Sequence, residues 1–426
     1  MNPFKPVRIR PLHAGLGFLL LLLFVQNGSA QVTARSLGMG QAYTALARGA
    51  HAPLYNPANL GLPGNPRFSM TLFSVGIGGR NNSFNKSDYD YYLVEHPEWD
   101  SNDVEAILGR IPDEGFQFHM RGTARLLSFS AGRFAMSFGV EAGSYFQADR
   151  ELFELSLLGN ELDRTYSFDR MYGESAGVGL LSLSWGEPVR VSFAEAFSIG
   201  TSLNMLYGIG FANVEHAAGS ITTRPWGFEV AGDYQTALFT GNLGLNLDVG
   251  AAARFGKQWT VSLALANVAG TLNWSRDETT RGYVRGDSLT AYQIADQEEE
   301  AVEDSSWTWQ GGRSFERRLP LVFRLGSAYQ IRRLTFTADF VQSFTNDSWV
   351  TRKPQFCLGM EWRALPWFYG RTGLAAGGKL GFGTSIGVGI CPGGFVFDLA
   401  VMNGGFIAPG SAKGYVFALE MAIQLN

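Results

Sequence analysis

In the second half of the chain, apolar side chains repeatedly fall on every second position. Leu243, Leu245, Leu247, Val249 and Ala251 alternate with Gly244, Asn246, Asp248 and Gly250. The habit continues through Trp259, Val261, Leu263 and Leu265, then Leu321, Phe323 and Leu325, and Ala338 with Phe340. It returns at Phe356, Leu358, Met360 and Trp362, at Phe382, Ile386, Val388 and Ile390, and at Phe395, Phe397, Leu399 and Val401. The last run is Tyr415, Phe417, Leu419, Met421, Ile423 and Leu425. Successive side chains of a strand point to opposite faces, so these runs predict strands with one apolar face. The intervening positions are mostly Gly, Ala, Ser, Thr, Asn or charged.

A wall with lipid on one side and a polar lumen on the other requires that alternation. A soluble β-sandwich alternates too, but its strands are usually about five or six residues. The runs here are longer, and the last reaches the C-terminus. The pattern therefore predicts an all-β fold, a transmembrane antiparallel β-barrel. Counting such segments gives roughly 12 to 16 strands, with about 14 as the central value. Arg332-Arg333 and Cys391-Pro392-Gly393-Gly394 read as tight links, whereas Asn273 to Arg318 reads as a long loop. Short turns at one end and long loops at the other suit such a barrel.

The beginning differs. Lys5, Arg8 and Arg10 precede an apolar run from Gly15 to Val25, and Gly28-Ser29-Ala30 offers a small-residue cleavage site. This predicts a signal peptide over residues 1–30, a mature chain starting at Gln31, and export to the outer membrane. From 31 to 66 the strand period is missing. Gln41 to Arg48 reads as a short helix, followed by a Pro-rich stretch from Pro53 to Pro66 too apolar for a free tail. We expect this segment inside or beneath a barrel formed by residues 67–426. A second helix is expected over Asp103 to Arg110, in a loop between Pro97 and Pro112.

Composition supports this picture. Charged residues make up 17% of the chain, against about 25% in soluble domains. The 53 Gly and 57 aromatic residues favour strands over helices. Net charge is −4, and −7 without the three signal cations, which argues against a nucleic-acid partner. The two cysteines, Cys357 and Cys391, read as separate thiols.

Reactive chemistry is sparse. None of the five His residues has a partner at metal-ligand spacing, and no motif marks a nucleophile beside His119 or His216. We expect no enzyme activity, no cofactor and no metal. Glu298, Glu299, Glu300, Glu303 and Asp304, beside Trp307 and Trp309, read as a solvated acidic loop, or as a cation or partner contact. Trp185, Trp259, Trp362 and Trp367, near strand ends, suggest an interfacial girdle.

The stretch ARSLGMGQAYTALARGAHAPLYNPANLGL places Gly38, Gly40 and then Asn56-Pro57-Ala58 with Leu60 just ahead of the first strand. It resembles the start of the FadL-like outer-membrane transport superfamily, as do LPLVFRLGSAYQ, LTFTADF, FCLGMEW and FYGRTGLAAG near the end. That group includes fatty-acid and hydrocarbon channels and the PorV-like barrels of a protein secretion system. The resemblance implies a 14-stranded barrel plugged by an N-terminal hatch, with Asn56, Pro57 and Ala58 in the hatch. Asn59 stands where family members often have Gly. The function implied is passive uptake of hydrophobic small molecules such as long-chain fatty acids, by a monomer among outer-membrane lipids. The alternatives are a PorV-like partner of secreted proteins and a structural membrane protein. Pro57 would fix the backbone and bias Asn56 to extended geometry, while the Asn56 side chain could brace a turn that lacks ladder partners.

Overall fold

A computed structural model describes residues 32–290, 303–346, 350–379, 381–405 and 408–425. The predicted signal segment and Glu298 to Glu300 lie outside the described residues. The strands are β1 (Phe68–Asn81), β2 (Phe116–Ala131), β3 (Phe134–Ala148), β4 (Thr165–Ser167), β5 (Tyr172–Val189) and β6 (Ala196–Arg224). Next come β7 (Gly227–Gly241), β8 (Leu243–Phe255), β9 (Trp259–Leu289), β10 (Glu303–Gln310), β11 (Phe315–Arg318) and β12 (Val322–Ile331). The chain finishes with β13 (Leu334–Ser343), β14 (Gln355–Leu365), β15 (Phe368–Gly377), β16 (Gly381–Ile390), β17 (Phe395–Asn403) and β18 (Gly414–Leu425).

These strands build a closed antiparallel barrel of 14 staves. β7 and β8 are one stave broken at Asn242, because β6 pairs with β7 above and with β8 below. β10, β11 and β12 likewise descend along β9 as one interrupted stave. β1 closes the circle against β18, from Phe68 opposite Leu425 to Arg80 opposite Gly414. Closure pairs the wall strands on both sides, which a hydrocarbon environment demands.

The alternation sorts side chains as the sequence suggested. Leu243, Leu245, Phe356, Leu358, Ile386, Phe395 and Phe417 are exposed on the outside. Asp339, Glu361, Arg371, Asp398 and Glu420, on neighbouring staves, are buried on the inside. Such an inside-out distribution is what a lipid-facing barrel requires. Trp185, Trp259, Trp362 and Trp367 are all exposed and all lie at the end of the barrel with tight turns, as one girdle. Cys357 and Cys391 are free thiols.

Two expectations are corrected. The N-terminal helix is Ala34–Gly38, not Gln41 to Arg48, which is turns. Gly40 and Gln41 have φ of 63° and 69°, so no helix can pass through them. The expected loop from Asn273 to Arg318 is largely strand, since β9 continues to Leu289 and pairs with β10 and β11. The second expected helix is present as Ser101–Arg110, in the long β1–β2 loop, with Asp100 and Asp103 forming a capping box.

Candidate functional site

Residues 32–67 contain no strand and fill the lumen from mid-height down to the tight-turn end. Turns within this hatch satisfy part of its backbone, and the wall and hatch side chains satisfy more of it. The Asp339 carboxylate accepts the backbone N–H of Tyr43 (2.9 Å) and of Thr44 (2.8 Å). Asn59 Nδ2 donates to Thr44 O at 2.8 Å, and Ser262 Oγ donates to Asn59 Oδ1 at 2.9 Å. The unwound backbone at 41–48 therefore has partners that a helix would have supplied internally.

A charge chain holds the hatch helix. Arg35 donates from Nε and Nη2 to Glu361 at 2.8 and 2.7 Å. Arg371 bridges Glu361 and Asp398, each at 2.7 Å. All three wall residues are buried, so the like-charged guanidiniums are tolerable only because carboxylates separate them. Lower down, His51 Nε2 lies 2.5 Å from Glu420 Oε1, while Ser74 Oγ donates to Glu420 Oε2 at 3.2 Å. Burial pushes the Tyr43 hydroxyl above its ordinary pKa. The same hydroxyl lies 3.2 Å from His51 Nδ1, within hydrogen-bond distance.

The Asn56-Pro57-Ala58 turn rests against the opposite wall. Asn56 is extended (φ −157°, ψ 109°), and its Oδ1 accepts Ala58 N at 3.0 Å, capping the short 3-10 turn Pro57–Gly61. Its Nδ2 donates to Ala251 O (3.0 Å) and Leu263 O (3.1 Å), on β8 and β9. The wall makes room with glycine. A Cβ on Gly250 would stand 1.9 Å from Asn56 Oδ1, and one on Gly200 would stand 2.3 Å from Ala58 N. Those glycines were the available sequence signal for a closely docked plug, but the alternation alone does not distinguish them from ordinary strand glycines.

Among the described residues, two cavities adjoin the hatch. The first, about 200 Å³, opens towards the long-loop end above Val32 and Gln41. Val32, Val322, Val341, Val350 and Val416 supply apolar wall. Arg80, Arg121, Lys353 and Lys379 also line it, with His119 and, among the described residues, without a carboxylate. Arg121 Nη2 is buried with no hydrogen-bond partner among the described residues. No local motif could reveal this set, because its cations come from two strands and two loops.

The second cavity, about 80 Å³, lies between Pro53–Pro57 of the hatch and β5, β6, β8 and β9. β9 bulges there: Leu247 pairs with Ala269 but Val249 with Leu265, and Asn267 takes φ of 60°. Asp248 steadies the bulge by accepting Asn267 N (2.7 Å) and Asn204 Nδ2 (2.8 Å). Of the expected site residues, Pro57 lines this cavity, Asn56 braces its floor, and Ala58 packs with Leu62 and Ala252.

Residues 230–400 match a family of unknown function (DUF5723). No curated protein matches the chain. Among solved structures, the P. putida toluene transporter TodX is similar over 94% of this chain and 100% of its own, with TM-score 0.55 and 9% identity. A deltaS2S3 mutant of the TodX monoaromatic hydrocarbon channel has TM-score 0.56 at 11% identity, covering 93% of this chain and 99% of its own. The deltaS2 mutant has TM-score 0.52 at 11% identity, covering 92% and 97%. These likenesses show the fold alone, a barrel shared with these channels.

Proposed function

We propose that the chain is an outer-membrane channel through which hydrophobic small molecules pass without an energy source, and that it prefers amphiphiles with an anionic head, such as long-chain fatty acids. The observation that carries this reading is the first cavity. Its walls would take an alkyl tail, and its four cations, with no carboxylate among the described lining, would take a negative head. The likeness to a toluene transporter supports a hydrophobic cargo, while the lining supports a charged head.

In this reading the ligand enters from the long-loop end and its tail displaces water from apolar wall, worth about 0.8 kcal/mol per buried CH2. The head sits near Arg121, whose buried Nη2 then gains a charge-assisted hydrogen bond. Below lies the hatch, so onward passage needs a shift of residues 32–67. The Asn56-Pro57-Ala58 turn would be a brace that limits this shift.

The test is binding of a long-chain fatty acid and of the matching alcohol to purified protein, wild type against Arg121→Gln. The acid should bind wild type more tightly than the alcohol, and the variant should lose most of that preference. Equal binding of the two by wild type would sink the anionic-head reading.

A further inference from the structure

β6 and β9 are 29 and 31 residues long, well beyond what the barrel wall uses. β5 leaves β6 at Asn213, and above that point β6, β7, β9 and β10 rise past the rim as a small sheet. One edge of this sheet is covered, because β4 pairs with Ser220 to Thr222 of β6. The other edge is β10. The next stave, β13, ends at Ser343 opposite Val322, and among the described residues no strand pairs with the outer side of Glu303–Gln310. Every residue of β10 is exposed, Trp307 and Trp309 included.

An edge of this kind presents a row of backbone donors and acceptors, and folded proteins normally blunt it or cover it. Among the described residues the chain covers one edge and pairs nothing with the other, which carries two tryptophans on one face. We propose that the outer edge of β10 docks an extended strand of another polypeptide, one bearing lysine or arginine beside Glu303 and Asp304. Strand addition would supply main-chain hydrogen bonds, and Trp307 and Trp309 would grip alternate side chains of the added strand.

The occupant follows from charge and direction. β10 opens with Glu303 and Asp304. Across the ladder Arg285 stands opposite Glu303, but Asp304 stands opposite Val284. The balance at this end is acidic, so a basic strand is favoured. A second copy is not. Two barrels in one membrane point the same way, so β10 could pair with its own copy only in parallel. That would set Glu303 and Asp304 beside their like, which is destabilising.

The probe is a labelled peptide of alternating threonine and valine ending in Lys-Thr-Lys, with a glutamate counterpart. Two further versions carry N-methyl groups on alternate amides, so each blocks one edge of the peptide strand. Polarisation is measured with full-length mature protein in detergent micelles. The wild type should hold the lysine peptide about tenfold more tightly than the glutamate peptide, a difference of about 1.4 kcal/mol. The Glu303→Lys, Asp304→Lys double variant should reverse the preference. One N-methylated version should lose binding while the other keeps it. Equal binding of both N-methylated versions at the unmodified level would mean plain charge attraction and overturn the proposal. So would an unreversed preference, or no binding of any peptide.

Discussion

Asp339 and Tyr43 lie 296 residues apart in sequence, yet the carboxylate of the one accepts the backbone N–H of the other at 2.9 Å, deep in the barrel. The same oxygen takes Thr44 N. Two hatch amides thus depend on a single wall residue, and the hatch takes its irregular course because that residue is there.

Replacing Asp339 with leucine strands both amides. Each buried unpaired donor costs about 1–3 kcal/mol. We expect the barrel to stay closed, since its ladder does not involve this side chain, while the hatch loosens. Protease should cut within residues 32–67 of the reconstituted variant, and single-channel conductance should rise above that of wild type. Unchanged conductance and resistance to protease would show that the hatch does not need this anchor.

Glu361 is the centre of the charge chain, with Arg35 on one side and Arg371 on the other. Glu361→Gln keeps the shape but removes the charge that separates two guanidiniums. Breaking a buried pair typically costs about 3–5 kcal/mol. The variant should melt at clearly lower temperature, and Arg35→Met should recover part of the loss by removing one stranded cation. An additive loss in the double variant would contradict this coupling.

The Asn56 turn offers a sharper comparison. Asn56→Ala loses the cap on Ala58 N and both bonds to the wall. Asn56→Asp keeps the cap but sets a carboxylate against the carbonyl oxygens of Ala251 and Leu263. Hydrogen exchange across residues 57–62 should therefore quicken in both, and more in the aspartate variant. Gly250→Ala should act in the same direction from the wall side, because its Cβ would overlap Asn56 Oδ1. Slower exchange in the aspartate variant than in the alanine variant would show that the cap matters more than the wall contact.

Much of this was legible in the chain. The alternation at Tyr415 to Leu425 fixed which side chains face outward, since a period of two admits only two choices. The helix expected at Gln41 to Arg48 was misplaced because its deciding partner, Asp339, is far away in sequence. β9 and β10 read as a loop because Arg276, Asp277, Glu278 and Arg281 break the apolar alternation, as they can in a sheet standing in water on both faces. The cationic cavity was invisible for a third reason. Arg80, Arg121, Lys353 and Lys379 converge only when the barrel closes.

The central claim, a channel for anionic amphiphiles, is tested most directly by mass spectrometry of whatever co-purifies with the protein from native membranes in mild detergent. Wild type should carry a near-stoichiometric long-chain carboxylate, and Arg121→Gln should be depleted of it. A ligand-free barrel, or one holding only neutral hydrocarbon equally in both proteins, would contradict it.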